Sequence, residues 1–375
     1  MELIKQILIK QNMKKLILFL IILTSLSACQ NEPVSFPDYN YSAAYFAYQY
    51  PVRTITLGED IYDNSLDIQH KCAIFAVLAG IYDNKNDVTI NFNVADSICT
   101  GYNLIPASLS SVGKPTDPIS AITPMPHDYY TLASNQIIIK KGLISGGVEV
   151  QLTDKFFADP LASTNHYVIP LQMTTATNID SILHGKPILA NSHPRMLFAR
   201  KWDVLSKDFV LYAVKYINPW TGFYLRRGID VQTGAISKTI IRHPIDITTY
   251  DAAPGTTPVA KWLCYLTTGS MSVLKFPVVL IDAGNKNYTC SINITLDANG
   301  NCTVASSDPT TFTATGSGKF VKKGDKNSFG NIDRDVLYLD YTINHIPSGI
   351  TTQTKDTLLM RNRGVTMEQF TVAAQ

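Results

Sequence analysis

The residues best suited to hold a ligand lie in a turn and in the strand that follows it. Pro219 presets φ in the segment Asn218–Gly222, so the sequence predicts a turn that presents Trp220. Trp220, Tyr224 and Arg226 have the same strand parity, and we expect them to share one face. Aromatic rings bind the C–H faces of sugars, and nearby polar groups satisfy the hydroxyls. The alternative is that Trp220 folds back over the end of a core.

The sequence shows no catalytic constellation. Glycoside hydrolysis needs two carboxylates about 5–9.5 Å apart, but few glutamates follow residue 28, and each stands alone: Glu32, Glu59, Glu149 and Glu368. Most aspartates fall at turns, where they cap the backbone. No zinc-protease motif, nucleophile elbow or phosphate loop occurs. We therefore expect no catalytic residue, no metal and no cofactor, and a hairpin turn explains the calcium-loop-like segment Asp297–Asn301.

The first 29 residues predict export and lipid attachment. Met13-Lys14-Lys15 precedes the apolar run Leu16–Leu23, and small residues follow, as in a signal peptide covering residues 1–28. Leu26-Ser27-Ala28-Cys29 matches the lipobox of bacterial lipoproteins, so we expect Cys29 to be acylated and residues 29–40 to form a tether. The predicted location is the outer membrane, held by the lipid alone and facing the cell surface, with a periplasmic orientation left open.

Charge and cysteine content limit the remaining functions. The 375 residues carry 32 Lys+Arg and 30 Asp+Glu, a formal net charge of +2. Without residues 1–28 the charge becomes −1, which argues against a nucleic-acid partner. Five cysteines follow Cys29, and this odd number does not suit a disulfide scaffold. We expect free thiols at Cys72, Cys99, Cys264, Cys290 and Cys302.

The elements that must position these residues are β-strands. Val88–Val94 and Tyr288–Asp297 alternate apolar and polar residues with period two, which is typical of half-buried strands. Similar segments recur along the chain, with turn residues between them. We expect an all-β fold, in which an N-terminal immunoglobulin-like β-sandwich (residues 41–185) precedes a larger antiparallel β-sandwich or β-barrel (residues 186–375).

Several motifs resemble a module of gut Bacteroidota surface lipoproteins. They are Tyr45-Phe46-Ala47-Tyr48, Arg53–Gly58, Asp87–Phe92, Tyr129–Leu132 and Ile144–Val148. The module is a β-sandwich of the domain-of-unknown-function 1735 type, found before some glycosidase and glycan-binding domains. Gly316–Phe320 and Asp335–Tyr341 look like the uncharacterised β domain that often accompanies it. The resemblance implies a carbohydrate setting and carries over no catalytic residue.

The leading hypothesis is a non-catalytic, lipid-anchored surface protein that binds glycan through its second domain. One alternative is an adhesion or assembly subunit that recognises a surface protein. A second is a glycoside hydrolase, which requires two carboxylates facing each other in one cleft. If the second domain is a closed barrel, a small apolar ligand in its interior is a further possibility.

Overall fold

The structure, a computed structural model, describes residues 38–107, 116–242 and 262–375. Tyr41–Gln375 forms one compact unit that is nearly all β-sheet. The strands up to the start of the barrel are β1 (Ala43–Tyr45), β2 (Pro51–Thr56), β3 (Lys71–Ala79), β4 (Val88–Val94), β5 (Tyr102–Pro106), β6 (Ser120–Ala121), β7 (Thr123–Pro124), β8 (Tyr130–Leu132), β9 (Gln136–Ile139), β10 (Ser145–Leu152), β11 (Tyr167–Thr177), β12 (Ser181–Ile182), β13 (Lys186–Pro187), β14 (Trp202–Val204) and β15 (Phe209–Ile217).

The remaining strands form the barrel and the return to the sandwich. They are β16 (Gly222–Gly234), β17 (Lys238–Arg242), β18 (Leu263–Thr268), β19 (Val273–Ile281), β20 (Asn287–Leu296), β21 (Asn301–Ser306), β22 (Phe312–Asp325), β23 (Arg334–His345), β24 (Ile350–Asn362) and β25 (Glu368–Ala374). Helices are short: α1 (Ser65–Ile68), α2 (Asp154–Ala158) and single 3-10 turns at Asp96–Cys99, Pro160–Ser163 and Ala199–Lys201. Within the described ranges no helix has the length and hydropathy needed to cross a bilayer.

The N-terminal part is a sandwich of two sheets. One sheet has the order β12-β1-β3-β10-β8, and the other has the order β6-β5-β25-β2-β15-β11-β4-β9, with β7 beside β11. Apolar side chains from both sheets form a single core, which includes Ile74, Phe92, Phe156, Ile169 and Tyr216. Ile74 and Phe92 come from alternating strands, which place one side of each strand against the facing sheet, whereas Phe156 comes from the helix α2.

Strand β15 is buried on both of its faces. Val210 and Val214 point into the sandwich core, whereas Leu211 and Ala213 pack in a second core with Phe370 of β25. The nearly continuous apolar run Phe209–Ile217 reflects this double burial.

The chain leaves the sandwich, builds the barrel and then returns. Strand β15 pairs in parallel with β2, and β25 pairs with both β2 and β5. Both β15 and β25 lie beyond residue 186, where the second domain was expected to begin. The pairing partners are far apart in sequence, so local patterns do not reveal that these two strands complete the first sheet.

The barrel closes through its first and last long strands. Strands β16 and β18 to β24 each pair antiparallel with the next along the chain, and β16 pairs with β24 from Phe223↔Asn362 to Gly234↔Ile350. Strand β17 adds to the second half of β16. The predicted all-β fold is confirmed. Of the two alternatives left open for the second domain, the structure contains the barrel, which is closed and has eight strands.

Large side chains pack inside the barrel. Tyr224, Phe276, Leu337 and Tyr341 belong to one buried cluster. Gly316 lies opposite Tyr341, and a Cβ at Gly316 would come within 2.5 Å of the Tyr341 Cβ. A glycine at this position therefore leaves room for the tyrosine. This packing gives no support to the expectation of a small apolar ligand in the interior.

Arg363 ties the barrel to the sandwich where the chain crosses between them. Its side chain donates to four backbone carbonyls: Nε to Thr221 (2.7 Å), Nη2 to Asn218 (2.6 Å), and Nη1 to Leu57 (3.0 Å) and Glu59 (3.2 Å). Arg363 is 4% exposed, and burial lowers the pKa of its guanidinium. One side chain thus holds together the sandwich, the segment that enters the barrel before β16 and the segment that leaves it after β24.

We predict that Arg363→Ala lowers the free energy of unfolding by about 3 kcal/mol or more, because buried carbonyls lose a charged donor. Arg363→Lys should recover only part of this, since one ammonium cannot reproduce the planar fork. Urea unfolding measures both changes, with the exposed Arg200→Ala as control. An Arg363→Ala variant within about 0.5 kcal/mol of the wild type would contradict this role.

Candidate ligand-binding site

The predicted aromatic site lies inside the barrel. Tyr224 is 0% exposed, and its hydroxyl donates to the Trp220 carbonyl at 2.6 Å. Trp220 is partly buried and packs against the barrel core. Trp220, Tyr224 and Arg226 do share a side of the chain, as parity predicts, but it is the inner side. A sugar cannot stack on Tyr224, so an exposed binding face made of these three residues is not what the structure contains.

Arg226 takes part in a buried network of charges. Its Nε donates to Asp356 Oδ2 at 2.9 Å, and its Nη2 donates to the Tyr341 hydroxyl at 3.0 Å. Arg242 bridges Asp230 and Asp356 through both of its terminal nitrogens. Burial opposes the charge of Asp230, but Arg242 and Arg226 outweigh it and hold the pKa of this carboxyl below its ordinary value. Two cations and two anions balance, so Arg226 has a structural partner for its charge.

The other two tryptophans are also partly buried. Trp202 donates its Nε1 proton to the Arg195 carbonyl at 3.2 Å, and the Trp262 ring centroid lies 5.6 Å from the Arg242 guanidinium carbon. The five cysteines within the described ranges are free thiols, and Cys264 alone among them is not fully buried. Burial raises the pKa of the Cys264 thiol to about 12, so it is not a reactive thiolate at neutral pH.

A cleft of about 450 Å³ opens where the sandwich meets the barrel. The sandwich contributes the turn Pro160–Ser163 with the residues that follow it, and the end of β15. The barrel contributes the end of β18, and the returning crossing adds residues before β25. Its lining includes Pro106, Asp117, Pro160, Leu161, Ser163, Thr164, Asn165, Lys215, Thr221, Tyr265, Thr267, Thr268, Lys275, Gly364 and Glu368. Its volume falls in the range of small-molecule sites.

A buried cation joins two carboxylates in this cleft. Lys215 interrupts the apolar run of β15, and its Nζ lies 2.8 Å from Asp117 Oδ2 and 2.8 Å from Glu368 Oε2. Burial alone would lower the pKa of the Lys215 ammonium, but the charges of Asp117 and Glu368 outweigh it and raise that pKa above its ordinary value. The charged groups of the cleft floor therefore satisfy one another.

Asn165 differs from the other polar residues of the lining. It is 3% exposed, and its Oδ1 has no hydrogen-bond partner in the part of the chain that the structure describes. Its backbone carbonyl accepts from Ser120 Oγ at 3.4 Å. Buried polar atoms are nearly always hydrogen-bonded, so Asn165 Oδ1 is an acceptor of this lining that the described residues leave unused.

Ser163 and Thr164 add further hydrogen-bonding capacity to the cleft. Their hydroxyls donate to the carbonyls of Pro160 and Leu161, each at 2.8 Å. A hydroxyl oxygen that donates still has lone pairs and can accept a hydrogen bond from a ligand. Pro160 and the exposed Leu161 supply apolar surface beside these acceptors. The sequence analysis did not identify this cleft, because its residues come from separate segments with no shared spacing.

His184, Asp208 and Ser206 lie close together but are not arranged as a catalytic triad. His184 Nδ1 lies 2.7 Å from Asp208 Oδ2, but Ser206 donates to the same carboxylate and not to the imidazole. A nucleophilic triad needs the serine on the second imidazole nitrogen. Among the described residues, no group of three or more His, Cys, Asp or Glu side chains is placed to hold a metal ion.

We predict that Lys215→Met destabilises the fold by about 3 kcal/mol, because the buried Glu368 and the partly buried Asp117 lose their common partner. The pKa of Lys215 is higher in the folded chain than in the unfolded chain. Its stabilisation is therefore fully present below about pH 10 and is lost as the pH rises through the folded value. The difference in unfolding free energy from the wild type should stay constant from about pH 6 to 9 and shrink above about pH 10.5.

The measurement is urea unfolding of both proteins across this pH range. Lys238→Met, at an exposed lysine of β17, is the matched control and should change stability by less than about 0.5 kcal/mol. A Lys215→Met variant as stable as the control would show that the cleft floor does not depend on this ammonium.

Two family models match the chain. One is described as a domain of unknown function (DUF5627) and matches residues 219–364, which contain the barrel. The other is described as an N-terminal domain and matches residues 38–180. No curated protein is similar enough to count as a relative. The assignment of the first part to the 1735 type stays a prediction.

Three solved structures are similar to this chain, and one of them shows its family. A Bacteroides ovatus protein of unknown function is 43% identical, covers 90% of this chain and 100% of its own, and has a TM-score of 0.76. A second protein of unknown function from this species is 10% identical over 79% of this chain and 85% of its own, with a TM-score of 0.34. A third, whose carbohydrate binding is itself only proposed, is 11% identical over 88% and 97%, with a TM-score of 0.24. The second and third structures have TM-scores too low to support any inference about this chain. The 43% identity over the whole of the first protein shows that the chain belongs to its family, a Bacteroides family of unknown function.

Proposed function

We propose that the protein is a non-catalytic, lipid-anchored surface protein that binds an uncharged glycan in the cleft between sandwich and barrel. The observation that carries the proposal is the composition of that cleft. It combines hydroxyl oxygens of Ser163 and Thr164, the unsatisfied amide of Asn165 and the apolar surface of Pro160 and Leu161. Sugars offer hydroxyls and C–H faces that match such a lining.

The charges of the cleft favour a neutral ligand. Lys215 is engaged by Asp117 and Glu368, so this group offers no unpaired cation to an acidic sugar. Lys275, on the exposed side of β19, is the other basic residue of the lining. An anionic ligand would approach two carboxylates for each buried ammonium, and like charges at short distance are unfavourable. Uncharged hexose or pentose chains are the class that we propose.

The same carboxylates are the natural place to look for glycoside hydrolysis. Asp117 and Glu368 both accept from Lys215 Nζ at 2.8 Å, so one ammonium engages both carboxylates. A glycosidase needs one of its two carboxyl groups protonated as the general acid. We therefore propose binding without bond cleavage. Release of reducing sugar from a bound oligosaccharide would overturn this part of the proposal.

The second candidate class, recognition of a surface protein, would be favoured by a broad flat apolar patch around Trp220. Trp220 instead packs against the barrel core. The enclosed cleft supports a small-molecule or oligosaccharide ligand better than a protein surface.

We predict that Asn165→Leu weakens glycan binding at least about tenfold without lowering the stability of the fold. The substitution removes an amide whose oxygen has no partner among the described residues, so folding loses no hydrogen bond from them to that oxygen, whereas the ligand does. Isothermal titration calorimetry with neutral gluco-, manno-, galacto- and xylo-oligosaccharides measures the affinity, and urea unfolding measures the stability.

Asn293→Leu is the matched control. The Asn293 Oδ1 also lacks a partner among the described residues, but this residue lies on β20 of the barrel and not in the cleft. The control should bind as the wild type does. No binding to any neutral oligosaccharide would contradict the proposed function, and equal affinities of Asn165→Leu and wild type would contradict the site.

We predict that Cys29→Ser abolishes fatty-acid attachment and moves the protein from the membrane fraction to the soluble fraction. The physical reason is that an acyl chain contributes about 0.8 kcal/mol per buried methylene and is the proposed attachment. Metabolic labelling with palmitate and fractionation of the source cells measure the change. A labelled, membrane-bound Cys29→Ser protein would contradict the anchor.

A further inference from the structure

A segment between β12 and β15 forms a small sheet of its own, separate from the two sheets of the sandwich. We refer to residues 186–204, which include β13, the 3-10 turn Ala199–Lys201 and β14, as the 186–204 arm. Strands β13 and β14 pair with each other to form a separate two-stranded sheet. The arm borders a groove of about 590 Å³ lined by nine of its own residues, among them Ile188, Leu189, Phe198, Arg200 and Lys201.

The arm is held in a defined conformation. Leu197 is buried in the second sandwich core, and the Arg195 guanidinium lies 4.6 Å from the centroid of the Tyr102 ring. The Trp202 indole donates to the Arg195 carbonyl, and the Ile188 amide donates to the Lys201 carbonyl at 3.0 Å. These contacts anchor the middle of the arm and join its two ends.

This frame holds large apolar side chains outward. Ile188 is 60% exposed, Leu189 is 66% exposed and Phe198 is 43% exposed, although Leu197 beside Phe198 is buried. All three exposed side chains line the same groove. A cluster of exposed apolar groups on a fixed frame is typical of a contact surface.

The groove is also cationic. The arm contains four Lys or Arg residues and a single acidic residue, Asp203. Lys186 pairs with Asp203 at 2.7 Å, and Arg195 contacts Thr100 and Tyr102. The side chains of Arg200 and Lys201 make no hydrogen bond or ion pair with any residue of the described ranges. Two unpaired cations therefore lie beside three exposed apolar side chains.

We propose that the 186–204 arm binds the surface of an anionic lipid bilayer. Ile188, Leu189 and Phe198 enter the boundary between headgroups and acyl chains, and Arg200 and Lys201 contact the phosphates. Apolar insertion with flanking basic residues is the pattern of peripheral membrane binding, and each basic residue near an anionic surface adds attraction. The proposal is independent of the glycan cleft, which involves other residues.

The test uses the unacylated mature chain, residues 29–375 with Cys29→Ser, so that a lipid anchor plays no part. Co-sedimentation is measured with vesicles of phosphatidylcholine alone and with vesicles of phosphatidylcholine and phosphatidylglycerol in equal parts. We expect binding to the anionic vesicles only, weakening as the salt concentration rises. Soluble glycerol phosphate should not compete, which distinguishes a bilayer from a free headgroup.

Two double variants separate the contributions. Arg200→Glu with Lys201→Glu should lower the partition coefficient roughly tenfold or more, and Ile188→Ser with Leu189→Ser should do the same. Lys238→Glu with Lys319→Glu makes the same change in net charge at exposed barrel positions and should have little effect. The four substituted positions of the arm are all exposed, so thermal unfolding should be unchanged.

Absence of binding to anionic vesicles would overturn the proposal. Equal loss of binding in the barrel control would also overturn it, because bulk charge and not the arm would then be responsible. Binding that persists in both arm variants would place the membrane contact elsewhere.

Discussion

The guanidinium of Arg363 lies where three stretches of chain meet: the end of β2, the crossing into the barrel and the crossing back. It donates to carbonyls in the first two of these stretches and itself begins the third. A buried guanidinium is tolerated only when its donors are satisfied, and here backbone oxygens satisfy them. This contact joins the barrel to the sandwich, and Thr221 and Gly364 beside it line the cleft.

The barrel also contains a group of buried charged residues, and the role of this group differs from that of Arg363. Arg226, Arg242, Asp230 and Asp356 balance one another along the wall where β16 meets β24. Buried ion pairs gain little net stability because desolvation offsets their attraction. We infer that the network specifies which strands meet at the closure of the barrel. Arg226, predicted to contact ligand, belongs to this network.

Regular strands were predictable from the sequence, and the closure of the barrel was not. The predicted strand Val88–Val94 agrees with β4, and the predicted strand Tyr288–Asp297 differs from β20 by one residue at each end. Strand β24 was not predicted, because its inward residues Thr352 and Thr354 are polar and the sequence therefore lacks apolar alternation there. Without β24 the sequence could not decide between a sandwich and a barrel.

The site was harder to predict for two physical reasons. Period two places Trp220, Tyr224 and Arg226 on one side of the chain, but it does not say whether that side faces the interior of a closed barrel or the solvent. The cleft is built by Asn165 and Lys215 from the sandwich together with residues of β18 and the returning crossing. Only tertiary pairing brings these segments together, so no spacing in the sequence marks them.

We propose that a glycan binds at the junction between sandwich and barrel. The most direct measurement is a crystal structure of the protein soaked with the neutral oligosaccharide that it binds most tightly. We expect sugar density between the turn Pro160–Ser163 and the end of β18, with a sugar hydroxyl within hydrogen-bond distance of the Asn165 side chain. Sugar bound at another surface, with this cleft holding only water, would contradict it.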